Sequence, residues 1–370
     1  MAAARTNRVV WQGKFGVPGD VREAEMPSTN ELGDHKVLVK VHAWAINPCD
    51  YMLQDRDMGF AYPVILGCDV AGTVEAVTPG SPAAAKFSVG DRVFGYNANN
   101  GFQDYVTFDE RLLAKVPEGL EFRDPVVLGL TIATSAVFLF GEDYLNLDFP
   151  KIGAPKKGKS VLIWGGASAV GSNAIQLVTG AGYDAITTCS KNNFDYVKSL
   201  GAVSAFDYKD PDVTEKLAAE LDKGECAGVF MAAGLNDGNI AAWKVAAASK
   251  QTLKFASSSY ITNLDEVPKG VDVKQLSPGQ FKPFPDCWFE TLPATFGGYL
   301  PEALAKGVYK IAPSPLVVNR KGLEGIQEAI NLQRAIGEKG QEGVKAAIKH
   351  AKGEAAEDEV KPVKLIVERA

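Results

Sequence analysis

The stretch Val161-Leu-Ile-Trp164-Gly165-Gly166-Ala167-Ser168-Ala169-Val170-Gly171 constrains what this chain can fold into more than any other. A short apolar run over 161–164 reads as a buried strand, and it passes straight into a glycine-rich turn. The residues after the turn read as a helix over 169–179. Glycines permit the tight bend and let backbone approach a ligand closely. The unpaired N–H groups and dipole of the helix start then favour an anion such as a diphosphate. The spacing is Gly-Gly-x-x-x-x-Gly rather than the usual Gly-x-Gly-x-x-Gly, and alone it would also suit a plain turn that binds nothing. Its context is what makes it informative. Strands over 185–188, 203–206, 228–232 and 252–256 alternate with helices over 193–200 and 216–221 and with an Ala-rich helix ending at 248. This βαβαβ order predicts an α/β region with a doubly wound parallel sheet.

The end of the second strand bears on which nucleotide would fit. An NAD site needs an acidic residue there to hold the ribose 2′-hydroxyl. This chain has Thr188-Cys189-Ser190-Lys191-Asn192-Asn193 instead. A carboxylate would repel a 2′-phosphate, whereas Ser190, Lys191 and Asn193 can hydrogen-bond or neutralise one. Tyr208, after the third strand, can pack on adenine or reach that phosphate. The pattern predicts NADPH over NADH; an ordinary βα turn with a solvated lysine is the alternative. Ser257 and Ser258 end the fifth strand, where an open parallel sheet places ligands.

The N-terminal third has a different rhythm. Short β segments over 37–41, 64–77, 91–96, 105–108 and 112–116, punctuated by Gly and Pro, predict a partly open β-barrel. Near the C-terminus, 323–336 reads as an amphipathic helix, 337–359 as a solvated insertion or loose helix, and 363–367 as a closing strand. The expected division is therefore 1–125, 126–310 and 311–370, with the last segment returning to the first domain. A net charge of -6 argues against nucleic acid as the main partner. The five cysteines are scattered without Cys-x-x-Cys spacing, which suits reduced thiols in the cytoplasm. Residues 1–10 lack the apolar run of a signal peptide, and 125–140 is too short to span a bilayer.

Several spaced motifs, in order, resemble the medium-chain dehydrogenase/reductase family in its quinone-reductase and enoyl-reductase branch. They are Ala45-Ile-Asn47-Pro48-Cys49-Asp50, Leu66-Gly67-Cys68-Asp69-Val-Ala-Gly72, Val89-Gly90-Asp91-Arg92-Val-Phe-Gly95, the 165–171 loop, and Ser199-Leu-Gly201-Ala202 before Phe206-Asp-Tyr208. Within the family the chain is similar to fungal zinc-binding-domain oxidoreductases and trans-acting enoyl reductases. The resemblance implies a GroES-like β-barrel catalytic domain plus a Rossmann domain, an active site in the cleft between them, and a monomer or homodimer. It also implies that Asn47, Cys49, Asp50, Tyr51 and Met52 face the nicotinamide. Tyr51 would be the proton donor, or packing at the rim, since relatives place the polar residue one position later, where Met52 stands. Thr134 matches a threonine near the nicotinamide; a hydroxyl bonded back to its own helix is equally compatible.

Zinc-dependent members of the larger family use a Cys and a Gly-His-Glu segment as ligands. Here the first position matches Asn47, and the segment reads Gly67-Cys68-Asp69. The resemblance thus implies no catalytic metal, although Cys49, Cys68 and Asp69 can in principle approach one another. Without a Lewis acid, the acceptor must already be activated, as in an α,β-unsaturated carbonyl, a quinone or an aldehyde. A zinc-independent NADPH reductase acting on such a small molecule is the leading expectation. An enoyl reductase serving a polyketide synthase, and an NADPH-binding protein without turnover, are the rivals. Phe281, Phe284, Trp288, Phe289 and Phe296, with Pro278, Pro283, Pro285 and Pro293, line a substrate pocket or seal an oligomer interface.

Overall fold

The computed structural model describes residues 6–29, 32–57, 61–234, 236–258, 264–269, 271–275, 286–353 and 361–369. Two units emerge, Met1–Leu130 with Ile311–Ala370, and Thr131–Lys310. Among the described residues no helix is long and apolar enough to cross a membrane.

The chain opens with strands β1 (Asn7–Gln12), β2 (Asp20–Ala24) and β3 (Lys36–Ala45), then a short helix α1 (Pro48–Asp55). Strands β4 (Val64–Ile65) and β5 (Asp69–Val77) follow, then α2 (Pro82–Lys86), β6 (Arg92–Tyr96), β7 (Tyr105–Asp109) and β8 (Leu113–Lys115). Residues 64–77 read as one strand in sequence, but the structure breaks them in two. Gly67 sits at φ +94 with the Phe102 ring where a Cβ would stand, so the chain turns sharply there. The β4 half joins β1, and the β5 half joins a different sheet.

Helix α3 (Gly129–Phe140) leads into the second unit, with β9 (Lys159–Trp164), α4 (Ala169–Gly180), β10 (Asp184–Cys189), α5 (Phe194–Ser199), β11 (Ala202–Asp207), α6 (Val213–Leu221), β12 (Glu225–Met231), α7 (Asn236–Ala248), β13 (Lys254–Ser257) and β14 (Asp272–Gln275). Helix α8 (Asp286–Pro293) continues through a π-helical segment, Ala294–Tyr299, into α9 (Leu300–Ala305). The six strands pair in the order β11-β10-β9-β12-β13-β14, every pair parallel. This is the Rossmann doubly wound arrangement, with the order reversing between β9 and β12. β14 had no counterpart in the sequence reading: Asp272 and Lys274 alternate with Val273, the pattern of an edge strand with one face against the core.

The last segment supplies β15 (Ser314–Asn319), α10 (Ile326–Lys339), α11 (Gln341–Lys352) and β16 (Val363–Glu368). β16 pairs antiparallel with β3, completing a sheet ordered β15-β16-β3-β5-β6-β8, with β7 also on β3. This is the GroES-like half. Its core gathers Trp44, Phe102, Phe108, Ile326, Ala347 and Leu365. The buried Trp44 indole donates to the Gly101 carbonyl at 3.0 Å, so its one polar atom is satisfied. Truncating such a side chain costs about 3–5 kcal/mol. The expected loose insertion over 337–359 is corrected in part. Its stretch 341–352 is a regular helix whose Ala347 and Ile348 are buried, with Val344 and Ala351 packed beside them. The apolar spacing of i, i+3, i+4 and i+7 was masked by the surrounding Lys and Glu.

Candidate functional site

In the second unit the 165–171 loop leaves the C-terminal end of β9, beside the point where the sheet order reverses. Each glycine has a separate steric reason. Gly165 sits at φ +84, and a Cβ there would lie 2.7 Å from that of Ala233. A Cβ on Gly166 would strike the Thr187 hydroxyl, and one on Gly171 would strike the Gly165 carbonyl. The loop is pinned by the Gly165 N–H on the Thr188 hydroxyl at 3.0 Å and the Gly166 N–H on the Thr188 carbonyl at 2.9 Å. Ser168 caps α4, accepting from the Gly171 N–H at 3.0 Å. The N–H groups of Ala169 and Val170 lie in the first turn, beyond reach of any helical carbonyl, and are available to an anion. Ser135, on α3, donates to the Val170 carbonyl at 2.9 Å and further fixes the helix start.

At the end of β10, Ser190 leads into a short 3-10 turn, Lys191–Asn193. Lys191 is exposed and forms no ion pair among the described residues. Tyr208 is 45% exposed, and the Lys209 ammonium lies 5.8 Å from its ring centroid. Asp207 lies opposite Cys189 in the β10–β11 register and is turned into a local bond with the Lys209 N–H at 3.0 Å. Burial and that carboxylate push the Cys189 thiol up to about 11. Ser258 donates to the Met231 carbonyl at 2.8 Å, tying the ends of β12 and β13, and Ser257 is buried. Thr134 is partly buried, and its hydroxyl takes no hydrogen bond among the described residues. Its neighbour Ser135 lies in reach of the helix instead, its one hydroxyl proton shared between the Thr131 carbonyl at 2.7 Å and the Val170 carbonyl.

In the first unit the Asn47–Asp50 segment starts α1 over a buried polar cluster. The Lys364 ammonium, from β16, donates to the Asp69 carboxylate and to the Asn47 side-chain oxygen, each at 2.6 Å. The Asn47 amide donates to Asp69 at 3.0 Å, and the other Asp69 oxygen accepts from the Leu130 N–H. That last bond requires Gly129, because a Cβ there would meet Asp69 and the Gly95 carbonyl. Asp50 is fully buried; one of its oxygens accepts from the Asn47 N–H at 2.7 Å, and the other is in no well-formed hydrogen bond. Burial pushes its carboxyl up to about 7 against the pull of that backbone bond. Cys49, Asp50 and Cys68 present donor atoms all within 4.8 Å of one another. The hydrogen bond with Cys68, and then burial, raise the Cys49 thiol well above its ordinary value. Burial likewise raises the Tyr96 phenol beside them.

This geometry bears on the metal that zinc-dependent relatives would imply. The Asn47 amide is committed to Asp69 and Lys364, and the Asp69 charge is already neutralised, so neither presents a free donor. The three donors that converge are instead Cys49, Asp50 and Cys68, in place of the Cys49, Cys68 and Asp69 set weighed from sequence. Tyr51 turns toward α10: a Cβ on Gly337 would strike its hydroxyl. Met52 is partly buried one position on. Trp288 and Phe296 are buried, whereas Phe281, Phe284, Pro278, Pro283 and Pro285 lie outside the described residues. Lys364 was missed in sequence; the signal was a lysine at an inward position of an otherwise apolar strand.

Residues 33–118 match the alcohol dehydrogenase GroES-like domain model. "Dehydrogenase orf1" of Aspergillus niger is 39% identical over 328 residues, covering 84% of this chain and 90% of that one. "Trans-enoyl reductase himH" of Aspergillus japonicus is 34% identical over 313 residues, 81% of this chain and 86% of that one. Among solved structures, the quinone oxidoreductase from Coxiella burnetii shares the fold with a TM-score of 0.65 at 19% identity, covering 99% of this chain and 100% of that one.

Proposed function

We propose that this chain, which belongs to the medium-chain dehydrogenase/reductase family of oxidoreductases, is an NADPH-dependent reductase of activated acceptors that turns over without zinc. The observation that carries the reading is the 165–171 loop at the reversal of strand order, with its first-turn amides open to a diphosphate.

Within the second unit, the first-turn N–H groups of Ala169 and Val170 hold the diphosphate, while Gly165, Gly166, Ala167, Ser168 and Gly171 shape the loop so that its backbone can approach closely. Lys191, free of internal ion pairing among the described residues, meets the 2′-phosphate with Ser190 and Asn193, and Tyr208 packs on the adenine side. Ser257, Ser258 and Thr134 serve the nicotinamide end. When bound, NADPH supplies the hydride that reduces the acceptor, while a proton from water or a side chain completes the saturated product. The residues of the chain bind, orient and exclude water. Metal-free turnover is supported by the commitment of Asn47 and Asp69 to Lys364, since two of the positions that correspond to the zinc-binding segments are occupied by internal bonds.

The acceptor class is an α,β-unsaturated carbonyl, a quinone or an aldehyde. The likeness to a trans-enoyl reductase favours a second, narrower reading, in which the acceptor is an enoyl thioester carried by a polyketide synthase. Screening NADPH oxidation against enones, quinones, aldehydes and enoyl thioesters, with chelator-treated protein, tests both. Turnover with enoyl thioesters alone selects the narrower reading. No turnover with any class, despite saturable NADPH binding, overturns the assignment.

A further inference from the structure

We propose that Cys49, Asp50 and Cys68 form a site for a thiophilic divalent cation of the zinc class, held by two thiolates and one carboxylate. Their donor atoms all lie within 4.8 Å of one another. A tetrahedral ion with bonds of about 2.0–2.3 Å needs donors about 3.3–3.8 Å apart, so the set closes on an ion with side-chain adjustments of roughly 1 Å. A second observation points the same way. Asp50 is completely buried; one of its oxygens takes the Asn47 N–H at 2.7 Å, and the other is in no well-formed hydrogen bond, the Gly67 N–H giving the carboxylate only a weak further pull. A buried acceptor left without a well-formed bond is costly, and a cation at the cluster would give it a partner.

The backbone explains the convergence. Cys49 and Asp50 stand in the first turn of α1, and the left-handed turn at Gly67, φ +94, delivers Cys68 from the facing segment. Charge is also arranged for it. The Asp69 carboxylate is paired with Lys364 at 2.6 Å, whereas Asp50 has no ion-pair partner among the described residues. Binding displaces to solvent one proton from each thiol and, where Asp50 is protonated, one from its carboxyl, and the dication then faces two thiolates and one carboxylate. Cys49 is partly exposed while Asp50 and Cys68 are buried, so the ion enters on the Cys49 side and retains one position for water. Neither cysteine is in a disulfide. The site shares only Cys68 with the zinc-binding segments of the dehydrogenases; its other two ligands, Cys49 and Asp50, follow the committed Asn47 in α1. It also stands apart from the reductase reading, because that hydride transfer draws on no metal.

The test uses the full chain, stripped with chelator under reducing conditions and titrated anaerobically with Co²⁺. Expected are one Co²⁺ per chain, a thiolate-to-cobalt charge-transfer band in the near ultraviolet, visible bands typical of four-coordination, and displacement by Zn²⁺. Cys49→Ser and Cys68→Ser each weaken the charge-transfer band, and Asp50→Asn keeps it but lowers affinity by roughly tenfold or more, as for a lost charged ligand. Far-ultraviolet circular dichroism confirms that each variant is folded. Should a variant misfold, alkylation of the wild type decides: Zn²⁺ protects Cys49 and Cys68 and leaves Cys189 and Cys226 unchanged. No band, a band that survives both serine variants, or no selective protection overturns the site and leaves a packed pair of thiols only. NADPH turnover is read separately on the stripped protein. Its loss on stripping with the cobalt spectrum intact would refute the metal-free reductase and not the site.

Discussion

Lys191 is exposed, forms no ion pair among the described residues, and follows the β10 strand where a ribose phosphate would lie. One charge-assisted contact of this kind is worth about 1–2 kcal/mol, or roughly tenfold in affinity. Lys191→Ala is therefore expected to raise KM for NADPH by about tenfold while leaving KM for NADH within about twofold. Initial rates with both nucleotides measure this, and an equal rise in both would remove Lys191 from the 2′-phosphate site. Tyr51 poses the opposite case. Its hydroxyl is directed at Gly337 on α10, which is where packing rather than proton transfer would place it. Tyr51→Phe is accordingly expected to keep kcat within about twofold. A loss of a hundredfold or more, with the fold intact, would restore it as the proton donor.

At the scale of the element, the strand-turn-helix of the 165–171 loop was legible because its signals are local. A buried strand, glycines at a bend, and an N-cap serine are each written within a few residues of one another. What sequence did not show is what each glycine avoids, since Thr187 comes from β10 and Ala233 from the bend that follows β12. Gly171 illustrates the consequence. A Cβ there meets the Gly165 carbonyl and the Gly166 Cα, which are backbone atoms and cannot rotate aside. Gly171→Ala is expected to cost about 1–3 kcal/mol of stability and to weaken NADPH binding by at least roughly tenfold. Thermal unfolding and fluorescence titration read the two effects. Unchanged values for both would mean that the loop and α4 can separate freely. The less legible elements fail for a common reason. α11 looked solvated because its four inward residues are diluted by lysines and glutamates, and the turn at Gly67 is dictated by Phe102, 35 positions away in sequence.

Over the whole molecule, the first unit is made from the two ends of the chain, with β16 paired to β3. The β character of 363–367 was readable from its apolar residues, but the partner of its one lysine was not. A lysine in a strand normally signals a solvent face, and only the three-dimensional neighbours reveal that Lys364, 4% exposed, is the counter-charge of the fully buried Asp69. The pair joins the last strand to the start of β5 and, through Asn47, to the start of α1. Removing only the cation leaves a carboxylate buried with hydrogen bonds but no charge partner. Such losses cost about 3–5 kcal/mol, whereas removing both charges together is much milder. Lys364→Met is thus expected to lower stability by that amount in chemical denaturation, and Lys364→Met with Asp69→Asn to recover at least half of it. If the double variant were as unstable as the single one, Lys364 would be acting through its packed aliphatic stem, and Asp69 would be sufficiently held by Asn47 and the Leu130 N–H alone.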